Sequence, residues 1–442
     1  MGRNGRGVRI RVSSGLTKAK EDEQHRMRIE TLLNHLEPYK GFVYTHAQLN
    51  RETDTVVLTI QARAGSRVSC PICGRRCTVY DHQPTRYYDS IPFRQLRMVF
   101  GYAPRRADCP RCGPHTEHVP WAEGKSPLTK AYAWFLARWA KRLPWNQVAG
   151  IFACGWHQVY EAVRQTVAWG LAHRDLSGVT AIGVDELYFG LKGKYQTLVY
   201  QLCSAKPRLL FIAEGHKEDA FSSILKAQGE SWCAGIRYVC SDMWRAYLAS
   251  VGKFLPNAMH ILDRFHIEAK LHDTIDKIRR IEARELAGQG LLILKNLRYA
   301  FLKRPENLTD RQRDGLQKII QQRKLKTVRA YHWKESFRLF WAYEEPYAAS
   351  RFLRRWCRGA SQSRLPPIQA FVKTLRKHEE LILNWFRAKK RFSSGAVEAM
   401  NRGAGLVSNL ARGFRNPDIR KIALFHALGD LPMPPEFTHR FS

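Results

Sequence analysis

The chain has 442 residues, enough for roughly two to four domains with a sizeable core, and its 44% hydrophobic residues and twelve Trp exclude a disordered polymer. Seventy-three Lys and Arg outweigh 39 Asp and Glu, a formal net charge of +34, which points to a polyanionic partner, nucleic acid ahead of an anionic membrane face. No stretch approaches the ~20 apolar residues a spanning helix needs, so no membrane partner is expected.

The chain opens on MGRNGRGVRIRVSSGLTKAK, six basic residues without an apolar core. This reads as a basic tail that can touch phosphates, not as a signal peptide. With a short helix it makes up residues 1–40, and the protein is expected in the cytoplasm. In that reducing compartment clustered cysteines point to metal and scattered ones to core. Cys154, Cys203, Cys233, Cys240 and Cys357 are scattered and read as inert.

Residues 41–122 read as a zinc-ribbon-like module. SCPICGRRC and DCPRCGPH each hold a Cys-Pro-x-Cys-Gly turn, whose two-residue gap lets both thiolates face one ion. Cys70, Cys73, Cys109 and Cys112 are therefore candidate ligands of a closed, structural Zn²⁺; two unrelated buried Cys pairs are the alternative. The 35 residues between the knuckles hold β-like runs at 85–88 and 96–102 that can form a hairpin. Cys77, His82, His115 and His118 are substitute ligands.

Residues 123–175 turn helical. Tyr132, Phe135, Leu136 and Trp139 fall at helical spacing; after Pro144, Val148, Ile151 and Phe152 make one apolar stripe and Val159, Val163 and Val167 another. Gly155 lies between the stripes, where a helix-turn-helix has its tight turn. Trp156, His157, Gln158, Glu161 and Arg164 then project from a recognition helix toward DNA. A plain αα-hairpin gives the same pattern.

Residues 176–266 read as strands and helices in the order βββαβαβ, an α/β sheet opening on an antiparallel meander with Lys206-Pro207 in one turn. Right-handed crossover puts the fourth strand parallel to and beside the first. Asp185 and Asp242 then lie at the same end of adjacent strands, where functional groups of open α/β sheets gather. Paired carboxylates in an apolar frame call for a cation, and hard oxygen ligands suit Mg²⁺ or Mn²⁺. Asp242 is also placed to cap the helix after it. Glu186, Glu214 and Asp263 are rival carboxylates, and His260 and His266 can line the site.

Residues 267–390 read as an α-helical insertion, its basic residues either clamping DNA or forming a solvated face. Between Arg351 and Lys421 stand seventeen Lys and Arg against four acids, one of them Glu398. Residues 391–442 contain RFSSGAVEAMNRGAGL, in which Ser393 or Ser394 can cap a helix carrying Glu398, with Asn401 and Arg402 on the same face and suited to touch phosphate. Lys389, Lys390 and Arg391 lead into it as phosphate contacts.

In order, Gly183-Val184-Asp185-Glu186, Ser241-Asp242, Asp263-Arg264-Phe265-His266, Trp333-Lys334-Glu335, the segment 394–401 and Gly413-Phe414-Arg415-Asn416 resemble successive motifs of the DDE transposases of bacterial insertion sequences, most closely the ISL3 family. The resemblance covers the chain after about residue 35, and the order of motifs carries it. It implies an RNase H-like core with Asp185, Asp242 and Glu398 as a triad holding two Mg²⁺ (or Mn²⁺) ions. It further implies binding of double-stranded DNA at the element's terminal inverted repeats, strand cleavage and transfer into target DNA, and a homo-oligomer on DNA in the bacterial nucleoid. Ser394 and Ala399 depart from the Asn and Gly the family commonly has there. A DNA-binding regulator descended from such an enzyme and a nuclease without strand transfer are the other readings. The whole is a multidomain α+β protein.

Overall fold

The computed structural model describes residues 28–188, 195–202, 207–215, 218–392 and 395–437. The basic tail to residue 27, Cys203, Lys206 and the capping residues Ser393 and Ser394 lie outside the described residues. The chain divides into two compact units, Met1–Leu136 and Ala137–Ser442.

In the first unit, helix α1 (Ile29–Leu36) precedes strands β1 (Phe42–Asn50), β2 (Thr55–Ala62), β3 (Val68–Ser69), β4 (Arg76–His82), β5 (Arg86–Phe93), β6 (Leu96–Tyr102), β7 (Arg105–Cys109) and β8 (Gly113–Thr116). They form two sheets, ordered β1-β2-β6-β5 and β3-β4-β7-β8. Alternation builds the first: Val56, Leu58 and Ile60 of β2 point inward while the residues between them do not. The indole of Trp121, buried among Phe42, Tyr88 and Tyr102 at ring distances of 5.0–6.1 Å, fills the core of that sheet. The expected hairpin between the knuckles forms as β5 and β6. It joins the first sheet and not the knuckle sheet, because β6 lies parallel to β2.

The chain continues through α2 (Lys130–Ala140), α3 (Trp145–Ile151) and α4 (Trp156–His173). Val159, Val163 and Val167 are buried on α4 as expected. On α3, Val148 is buried but Ile151 is exposed, and on α2 Trp139 is exposed, so both apolar stripes are narrower than the sequence pattern. The turn between α3 and α4 also differs from the expectation for Gly155. The left-handed residue is Ala153 (φ 48°), whereas Gly155 is extended and donates its N–H to Gln158 Oε1 at 2.8 Å.

The core of the second unit follows the expected βββαβαβ order: β9 (Ala181–Tyr188), β10 (Tyr195–Gln201), β11 (Arg208–Glu214), α5 (Glu218–Gly235, broken at Gly229), β12 (Tyr238–Ser241), α6 (Arg245–Phe254) and β13 (Met259–Leu262). The sheet order is β11-β10-β9-β12-β13. The strand β10 runs antiparallel to its neighbours, and β9, β12 and β13 run parallel. The fourth strand therefore lies parallel to and beside the first.

Helices α7 (Arg264–Ala287), α8 (Arg298–Leu302), α9 (Asp310–Ile320), α10 (Lys326–Arg338), α11 (Pro346–Ser361), α12 (Pro366–Lys377) and α13 (Glu379–Arg387) follow. Their apolar faces share one core with Cys240, Ile261 and Leu262 of the sheet. Lys334 is buried and donates to the carbonyls of Phe301 (2.8 Å) and Lys303 (3.3 Å) while pairing with Glu335 (2.7 Å), so it closes the C-terminus of α8. Helices α14 (Gly395–Leu410) and α15 (Pro417–Leu428) complete the unit.

Candidate active site and metal centre

The Cys70, Cys73, Cys109 and Cys112 Sγ atoms all lie within 4.8 Å of one another. Hydrogen bonds from the Arg111 and Cys112 backbone draw the Cys109 thiol down to about 6, against burial. Four convergent soft donors of this kind fit a tetrahedral zinc site with no open position. The substitute ligands stay out: Cys77 is buried but outside the group, and the His115 ring is engaged by the Cys112 carbonyl at 2.7 Å.

Asp185 lies within β9, level with Asp242, which stands immediately after the carboxyl end of the parallel neighbour β12. Burial pushes both carboxyls above the usual carboxylate range. His266 pulls both back, and Asp185 adds to the push on Asp242. A carboxylate pair in mutual repulsion fits a divalent cation. Asp242 is not a helix cap, since α6 begins at Arg245; it accepts the Trp244 N–H at 2.9 Å in a local turn.

Helix α14 lies against β9 because Gly183 leaves room for it: a Cβ there would stand 2.4 Å from Val397 Cγ2. One turn on, Asn401 Nδ2 donates to Asp185 Oδ2 at 2.5 Å, and its Oδ1 accepts from Tyr200 at 2.7 Å. Asn401 thus holds Asp185 from within, where the sequence had suggested a phosphate contact. Glu398, on the same helix, is exposed, and among the described residues the only group of three or more candidate ligands within 4.8 Å is the four-thiolate one. Asp185 and Asp242 interact directly, whereas Glu398 is linked to them only through its helix and Asn401.

Strand alternation removes Glu186 as a rival, since it faces Tyr247 on the opposite side of the sheet from Asp185. Glu214 is engaged by Gln196 at 2.8 Å on the edge strand β11. Asp263 stays near: it caps α7 through the Phe265 N–H (2.7 Å), lies 3.5 Å from His266 Nε2, and pushes Asp185 upward. His260 is structural, buried against Ser241 Oγ at 2.7 Å and drawn down to about 4 by burial. Tyr200 was not singled out in the sequence; glycine two residues before Asp185 in an apolar strand was the signal that a neighbour approaches there.

On α4, Trp156, His157 and Arg164 are exposed; Arg164 pairs with Glu161 at 2.8 Å, and Gln158 is turned back on its own helix start. Lys389 and Lys390 occupy a left-handed turn (φ 52° and 59°) after α13. Lys389, Arg391 and Arg402 are exposed, while Lys390 pairs with Glu344 at 2.6 Å. Among the described residues no helix is long and apolar enough to cross a membrane.

Acids level with each other on neighbouring parallel strands, a helix fastened to them by Asn401 and an excess of cations define a candidate metal-dependent site for a polyanion. Residues 182–423, more than half of the chain, match a family profile described as transposase. The chain belongs to the ISL3 family of DDE transposases. It is 24% identical over 354 residues, 79% of this chain and 86% of the relative, to the transposase for insertion sequence element IS1001 of Bordetella parapertussis. It is 26% identical over 416 residues, 86% of this chain and 90% of the relative, to the transposase for insertion sequence element IS1557 of Mycobacterium tuberculosis.

Proposed function

We propose that this chain is the transposase of an insertion sequence, binding the element's terminal inverted repeats and cleaving and joining DNA strands at Asp185, Asp242 and Glu398. The observation that carries the reading is the pair Asp185 and Asp242, half-buried and repelling each other where β9 passes the end of β12, with the Glu398 helix fastened to Asp185 through Asn401. The strand order with β10 reversed supports an RNase H-like core. Mg²⁺ or Mn²⁺ would be held by the three carboxylates; when bound, two such ions offset their charge, activate water and stabilise the leaving oxygen of a phosphodiester. Asn401 orients one Asp185 oxygen, and His266 lies exposed within electrostatic reach of both aspartates.

Four thiolates on a zinc ion would hold the β3-β4-β7-β8 sheet and do no chemistry. Trp156, His157 and Arg164 at the exposed start and flank of α4 suit a DNA groove, and Lys389, Arg391 and Arg402 suit phosphates. Cutting two element ends in concert calls for more than one copy on DNA. The test is nicking of a labelled duplex carrying the element's end, with Mg²⁺, by wild type and Glu398→Gln. Nicking by wild type alone, with equal binding by both, supports the triad. Equal nicking moves the third ligand away from Glu398, and binding without nicking by either favours a regulator.

A further inference from the structure

Tyr200 lies on β10 opposite Gly183 of β9, and Leu198 lies opposite Asp185. Side chains two apart on a strand share a face, so Tyr200 and Asp185 are diagonal neighbours on the face that receives α14. Asn401 from that helix spans the diagonal. The Tyr200 hydroxyl donates to its Oδ1 at 2.7 Å, and its Nδ2 donates to Asp185 Oδ2 at 2.5 Å. The other Asp185 oxygen, Oδ1, accepts the Glu186 N–H at 2.8 Å. Each carboxylate oxygen thus spends one acceptor position within the chain and keeps a lone pair for a cation.

A carboxamide has nearly the same shape whichever way its two ends point, so packing alone does not set its sense. Asp185 sets it only while its charge is bare, and a divalent ion that offsets the charge weakens that preference. A hydroxyl proton on the far side is free of this weakness. Tyr200 is 0% exposed, and burial, then the Asp185 charge, push its phenol well above the ordinary range, so the oxygen keeps its proton. Shut off from solvent, the hydroxyl has the Asn401 carbonyl oxygen as its acceptor.

We propose that Tyr200 is a positioning residue of the metal centre: its hydrogen bond to Asn401 keeps Nδ2 turned toward Asp185 and the carboxylate fixed for a divalent cation. The proposal rests on the reading of Asp185 as a metal ligand. Tyr200 acts only through Asn401 and touches neither the cation nor DNA. A tyrosine that merely fills the core would use its ring alone, and its hydroxyl would be dispensable.

The experiment titrates the zinc-loaded full chain, without DNA, with Mn²⁺ and reads free Mn²⁺ by electron paramagnetic resonance. Wild type should bind Mn²⁺, and Asp185→Asn should lose that binding. Tyr200→Phe keeps the ring and removes the donor, so it should bind Mn²⁺ about three- to tenfold more weakly, the scale of one hydrogen bond. Asn401→Leu should weaken binding at least as much, and adding Tyr200→Phe to it should change nothing further. Melting of the metal-free variants shows that each is folded; a lower melting temperature with wild-type Mn²⁺ affinity would make Tyr200 ordinary core. Affinity of Tyr200→Phe within about twofold of wild type, or effects that add in the double variant, overturns the positioning role, while loss of binding in Asp185→Asn keeps the metal reading standing. No Mn²⁺ binding by wild type, or binding unchanged by Asp185→Asn, overturns that reading and the proposal with it.

Discussion

Cys70 and Cys73 are neighbours in sequence, as are Cys109 and Cys112, and their four sulfurs gather within 4.8 Å. Asp185, Asp242 and Glu398 come from a strand, a strand end and a helix, the last two 156 residues apart, and they do not gather so closely. Charge explains the difference. Thiols can hold or release protons singly: burial, with the Cys109 charge adding to it, pushes Cys112 up to about 12 while Cys109 falls to about 6, so the two need not be charged together before a metal binds. Carboxylates are charged at neutral pH, and each one brought closer raises the cost of the others. A structural centre can therefore be assembled in advance, whereas an acid centre needs its counter-charge to close.

The largest expected effect breaks the preassembled side. Cys109→Ser should lose zinc and unfold the β3-β4-β7-β8 sheet, because metal binding of about 10–16 kcal/mol is folding free energy in small zinc modules. Zinc content per chain and limited proteolysis within 66–118 check this; an intact, zinc-free sheet would mean the thiolates are ordinary core. Next, Asp185→Asn or Asp242→Asn should lower strand nicking by about 10²–10³-fold or more with DNA affinity kept. A nicking rate within tenfold of wild type would remove that aspartate from the site.

Gly183→Ala probes how α14 is seated. Val397 is β-branched and cannot swing aside, so the added methyl should displace the helix at a cost of about 1–3 kcal/mol. Thermal melting checks the cost, and nicking should fall with it; an unchanged melt would show that α14 is loosely held. The smallest effect concerns protons. Burial raises the Asp185 pKa in the folded chain, so the folded state binds more protons than the unfolded one and stability falls as pH rises through the raised pKa. Without divalent ions, Asp185→Asn should raise the melting temperature at pH 7 by about 2–4 °C, the shift of a ~1 kcal/mol change. That gain should vanish as pH falls toward the ordinary carboxylate range, and Mg²⁺ should reproduce it in wild type alone.

Local features were legible in the sequence, and partnerships across distance were less so. The knuckles could be read because their geometry is set within four residues, and the βββαβαβ order because apolar runs and turn residues mark each strand. The parallel placement of β12 beside β9 followed from the handedness of crossovers. Period-two patterning shows that β5 and β6 pair but not that β6 also joins β2, so the sheet they enter was not legible. Spacing put Asn401 on the face of Glu398 without telling inward from outward; Gly183 and Tyr200 decide that. Ile151 and Trp139 are apolar at core spacing yet exposed, because the width of a buried stripe depends on what packs against it.

Cys240, Ile261 and Leu262 have a consequence for how this protein can be taken apart. These sheet residues are covered by the same core that unites α7 to α13. Replacing residues 267–390 by a short loop would uncover the outer parallel strands and leave a large greasy patch, the usual start of precipitation. The helices are inserted in sequence but not appended in space, so chimeras between relatives should exchange strands and helices together.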